Sequence, residues 1–97
     1  MPTFIYMLRP QSRGLIDETT PDEEARLGEH FEYLERALEE GKLILAGPCL
    51  DGEFGVVLFR AGTDDEALEF VQSDPAVRYG LMTAELHPFR VSLLATA

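Results

Sequence analysis

The 97-residue chain sets eight Lys and Arg against 18 Asp and Glu, a net charge of −10, with 45% hydrophobic and 27% charged residues. That size and balance suit one folded globular domain, and the negative field repels phosphate backbones and anionic lipid surfaces, which excludes nucleic acid and membrane as expected partners. One cysteine, Cys49, and two histidines, His30 and His87, leave no internal disulfide and no metal-ligand cluster of recognisable spacing, so no metal and no cofactor are expected.

Thr3 to Arg9 (TFIYMLR) is rich in aromatic and β-branched residues and reads as the first strand. Pro10 to Thr19 has Pro, Ser, Gly and Asp without an apolar period and reads as a polar loop, long enough for a functional flap. Thr20 and Glu23 form a capping box with Pro21 at the first helical position. From there Leu27, Phe31, Leu34 and Leu38 recur at helical spacing, which predicts a buried stripe on a helix that runs to about Glu40 and stops at Gly41. Between Asp17 and Glu40 lie ten acids and two bases, a net of −8, read as a solvated helix face.

Lys42 to Leu50 and Gly55 to Phe59 are apolar runs around Asp51-Gly52, which predicts a hairpin of strands two and three. Thr63 and Glu66 form a second capping box ahead of a short amphipathic helix that ends near Gln72. Asp74-Pro75 opens a further helical turn closed by Gly80, and Met82 to Val91 reads as the last strand, with Pro88 marking an edge or its end.

The order β-α-β-β-α-β is that of an α+β, ferredoxin-like sandwich, with a four-stranded antiparallel sheet and its helices on one face. Phe4, Tyr6 and Leu8 alternate with Ile5 and Met7, and the hairpin strands are apolar on both alternating sets. A sheet apolar on both faces calls for a cover, and a homodimer is the simplest one. No basic region followed by a long apolar run opens the chain, so a cytoplasmic protein is expected.

The segments HFEYLERALEEGKLILAGP, DGEFGVVLF and TDDEALEFVQSDPAV, with the closing HPFR, carry a resemblance from Phe4 to Arg90: the sequence is similar to YCII-related proteins. The resemblance implies that residues 1–97 form a single ferredoxin-like domain of a dimeric α+β barrel. It also implies a site built on a His–Asp pair, His30 and Asp74, in a family where some members are lyases, one activity being dehydrochlorination of a chlorinated hydroxyquinol.

His30 lies about 60° off the apolar stripe of the first helix, which also suits an ordinary boundary residue. Asp74 also suits an ordinary helix N-cap, and capping competes with orienting an imidazole for the same oxygens. The preferred roles are His30 as acid/base and Asp74 as its orienter. Arg9, at the end of strand one, could present a guanidinium to a bound carboxylate, enolate or phenolate, and Arg78 and Tyr79 could line the pocket. Cys49 reads as inert core in a strand and His87 as a surface residue. Two functions stay open: a cofactor-independent lyase or isomerase acting through His30 on a small aromatic or enolisable molecule, and a non-catalytic dimeric domain that binds a small ligand.

Overall fold

A computed structural model describes residues 1–12 and 14–95; Arg13 of the predicted flap and the side chains of residues 16 and 17 lie outside that description. The elements are β1 (Thr3–Pro10), α1 (Gly14–Asp17), α2 (Pro21–Glu39), β2 (Leu43–Pro48), β3 (Gly55–Arg60), α3 (Asp64–Ser73), α4 (Pro75–Arg78) and β4 (Met82–Phe89). The four strands pair antiparallel in the order β2-β3-β1-β4, the ferredoxin-like arrangement. The predicted polar loop contains a short helical element, α1, and buries Leu15, whose apolar side chain anchors a segment otherwise built of turn residues.

The starts of α2 and α3 follow local chemistry. The Thr20 hydroxyl accepts from the Glu23 N–H at 3.1 Å, while the Glu23 carboxylate accepts from the Thr20 N–H at 2.9 Å. At α3 the Thr63 hydroxyl accepts from the Glu66 N–H, but the Glu66 carboxylate takes the N–H of Gly62, not that of Thr63, so the predicted second box is only half formed. Gly41 and Gly80 close α2 and α4 at φ of 79° and 73°, backbone positions that a side chain would strain.

The strict alternation of β1 puts Phe4, Tyr6 and Leu8 into the core under the helices. Phe59 stacks on Phe70 with ring centroids 4.6 Å apart and meets Tyr6 edge-on at 5.6 Å, while Tyr33 of α2 leans on Phe70 and donates its hydroxyl to the Phe70 carbonyl. This aromatic cluster fixes α3 and α2 over the sheet, each ring pair adding about 1 kcal/mol beyond its buried area.

The buried stripe of α2 differs from the predicted one. Leu34 and Ala37 are buried and Leu27, His30 and Tyr33 half-buried, whereas Phe31 and Leu38 are 64% and 57% exposed. Apolarity alone placed the stripe about one position too far round the helix; Phe31 and Leu38 overhang β2 instead of entering the core. On the opposite sheet face Ile5, Met7 and Val56 are half-buried and Leu45 is exposed, while β4 offers Thr83, Glu85 and His87.

Candidate active site

Two turns bring the site together. The rotation of α2 that buries Leu34 and Ala37 also turns His30 inward, and α4 packs against α2 immediately after the helical run is interrupted at Asp74. Asp74 has φ −62° and ψ 123°, ending α3 and starting α4, with Pro75 following where no N–H is needed. Its carboxylate is fully buried, with 0% exposure.

A buried carboxylate is tolerated only when donors surround it. Here Oδ1 accepts the Ala76 N–H at 3.0 Å and lies 2.6 Å from Nδ1 of His30, and Oδ2 accepts the Tyr6 hydroxyl at 2.7 Å. Capping and orienting therefore do not exclude each other: one oxygen serves both, and the second is held by a phenol from the central strand. Among the described residues no buried side-chain nitrogen or oxygen is left without a partner.

Electrostatics reinforce this arrangement at Tyr6. Burial first, and then the negative charge and hydrogen bond of Asp74, push the Tyr6 phenol far above its ordinary range, so it remains a donor. Tyr33 is raised for the same leading reason, burial, with Asp74 again contributing. The Nδ1 edge of His30 faces a carboxylate, which only accepts, so a neutral ring that donates to it would carry its proton on Nδ1 and leave the Nε2 lone pair as the basic edge.

His30 opens onto a cleft of about 830 Å³ between α2 and the β2–β3 hairpin. Phe31, Leu34, Leu38, Ala46, Val57 and Met82 form much of its apolar wall. Cys49 lines it as well, half-buried just beyond the end of β2, which corrects the expectation of an inert core residue within a strand. Such a volume suits a small organic molecule, and an imidazole at one edge could take or give a proton there.

The other predicted residues lie elsewhere. Arg9 is exposed on the opposite sheet face, its guanidinium 5.8 Å from the Phe54 ring centre. Arg78 and Tyr79 are exposed where α4 meets α2; the guanidinium of Arg26 lies 3.8 Å from the centre of the Tyr79 ring and that of Arg78 lies 5.5 Å away. None of the three lines the cleft. His87 is exposed, as expected, and meets Glu85 at 2.8 Å, a contact that holds the Glu85 carboxyl below its ordinary range. Sequence reading missed Tyr6; the available signal was a polar-tipped ring at a fully inward strand position, which requires a buried acceptor. Among the described residues no three His, Cys, Asp or Glu side chains gather as metal ligands.

Among curated proteins, none matches this sequence. A solved structure similar to this one is 5-chloro-2-hydroxyhydroquinone dehydrochlorinase (TftG) from Burkholderia phenoliruptrix AC1100, in complex with 2,5-dihydroxybenzoquinone. The two share the fold at a TM-score of 0.71 and 20% sequence identity, over 91% of this chain and 93% of that one. Residues 5–90, nearly the whole chain and both members of the His30–Asp74 pair, match the YCII-related domain, and the protein thus belongs to the YCII-related family.

Proposed function

We propose that this protein is a cofactor-independent enzyme of lyase or isomerase type, a cytoplasmic homodimer in which His30 moves a proton on a small aromatic or enolisable molecule and Asp74 orients it. One observation carries the reading: the 2.6 Å approach of His30 Nδ1 to a carboxylate that is wholly buried and held on its other oxygen by Tyr6. A fold gains little from keeping a carboxylate so deep, whereas a base gains a fixed tautomer and a fixed ring orientation. The solved neighbour, a dehydrochlorinase bound to a dihydroxybenzoquinone, supports an aromatic substrate for this site. The apolar far face of the sheet supports association with a second copy. The substrate roles expected for Arg9, Arg78 and Tyr79 form no part of the proposal, because none of them reaches the cleft.

Two measurements test it. Nitrogen-15 spectra of the imidazole should show His30 protonated on Nδ1 in its neutral form. Against a panel of chlorinated hydroquinols, followed by chloride release, and of enolisable ketones, followed by deuterium uptake from heavy water, His30→Asn should lower turnover by about 10²–10⁴. An Nε2–H tautomer, or turnover that survives His30→Asn, would refute the assignment.

A further inference from the structure

Apart from His30, whose charge depends on its protonation, the charged lining of the cleft is of one sign. Its ionisable side chains are His30, Glu35 and the Cys49 thiol, and neither Lys nor Arg lines it. Glu35 stands in the row Phe31, Glu35, Leu38, spaced so that its carboxylate lies between two large apolar side chains that the fold leaves exposed. Of the ion pairs among the described residues, none includes Glu35. Behind His30 lies the buried Asp74, and the chain as a whole carries −10.

We infer that this cleft binds a small apolar molecule that carries a hydrogen-bond donor and no negative charge, with Glu35 as the residue that accepts from the donor and turns anions away. An anion entering here would lose water to an apolar wall, face the Glu35 carboxylate and meet no Lys or Arg on the lining, so beside a neutral His30 desolvation and Coulomb repulsion act in the same direction. A hydroxyl or ammonium group meets an acceptor instead, and a hydrogen bond to a carboxylate is among the stronger ones. Bound this way, the molecule is gripped at Glu35 and presents its other end to Nε2 of His30. The inference rests on the acid–base reading of His30 and adds the class of molecule that His30 serves.

Benzyl alcohol, benzylammonium and benzoate share a ring and differ in charge, and they can be titrated into protein carrying carbon-13 methyl labels. The two donors should shift the methyl signals of Leu34, Leu38, Val57 and Met82, while benzoate binds about tenfold or more weakly. Glu35→Gln should narrow the benzylammonium-to-benzoate ratio by about threefold or more, and Glu69→Gln, on the exposed side of α3, should leave it unchanged. Benzoate binding as well as the donors, an unchanged ratio in Glu35→Gln, or methyl shifts absent from the cleft with both donors overturns the inference. The tautomer of His30 is read separately. Discrimination retained with an Nε2–H imidazole would sink only the acid–base reading, and an Nδ1–H imidazole beside a cleft that takes benzoate would sink only this one.

Discussion

Replacing Tyr6 by Phe removes one oxygen and nothing else from the centre of the fold. The ring keeps its edge-on contacts with Phe59 and Phe70, at 5.6 and 6.2 Å, so no cavity opens. What is lost is the 2.7 Å hydrogen bond to Asp74 Oδ2, an acceptor with no route to water because Asp74 is fully buried. A hydrogen bond to a charged group, with its partner left unsatisfied, is worth about 2 kcal/mol. In a domain of this size that corresponds to a melting temperature lowered by about 10 °C.

The pH dependence of that loss follows from the raised phenol. The Tyr6 proton is held in the folded state well above the range where an unfolded tyrosine, near pH 10, releases it. Above that pH the unfolded chain binds fewer protons than the folded one, so the stability supplied by the Tyr6 hydroxyl is complete below about pH 10 and declines as pH rises. The decline is about 1.4 kcal/mol by one unit above the unfolded pKa, and the Phe variant lacks it. Urea unfolding at fixed protein concentration, run between neutral pH and pH 11, should therefore show a gap between wild type and Tyr6→Phe of about 2 kcal/mol that shrinks to less than half at the alkaline end. A gap under about 0.5 kcal/mol at neutral pH, or one that widens with pH, would refute the account of Asp74 as a buried carboxylate held by a protonated phenol.

Three further outcomes are expected. His30→Asn should cost under about 1.5 kcal/mol in the same urea assay, because Asp74 Oδ1 keeps the Ala76 N–H; a cost above about 3 kcal/mol would make His30 a structural residue first. Glu32→Gln and Glu39→Gln, both on the exposed side of α2, should each change stability by under ~0.5 kcal/mol, and several kcal/mol would show hidden pairing. Light scattering at micromolar concentration should give the mass of two chains, and Met7→Lys, on the far sheet face, should shift it toward one; a wild-type monomer would remove the dimer from the proposal.

The fold was legible because its signals are local. A capping box, a Pro at the first turn, Gly at a helix end and strict alternation in β1 each act within a few residues, and the structure places elements where they point. Features that depend on what another segment supplies were harder to read. Phe31 and Leu38 are as apolar as Leu34, and only the position of β2, at the edge of the sheet, decides that they wall a cleft instead of entering the core. At Asp74 the local pattern read as a helix cap, which it is; its second partner lies 44 positions away and its third 68, beyond the reach of any periodicity. Family resemblance supplied the first of these distant partners and not the second.

That third partner changes what the pair can do. If Asp74 had only the Ala76 N–H and His30, its second oxygen would sit buried and bare, and the carboxylate could relieve that cost by rotating toward water. Tyr6 removes this freedom: it is part of the central strand, 0% exposed, and donates from a fixed direction. Asp74 is then held at three points contributed by β1, α2 and α4, so the plane of its carboxylate, and with it the plane of the His30 ring, is set by the packing of the core. The oxygen that caps α4 is the one that orients His30, so the start of α4 and the direction of the imidazole are fixed by the same atom. An imidazole aimed by the core needs no bound ligand to organise it, which is the preorganisation that the proposed proton transfer in an apolar cleft would require.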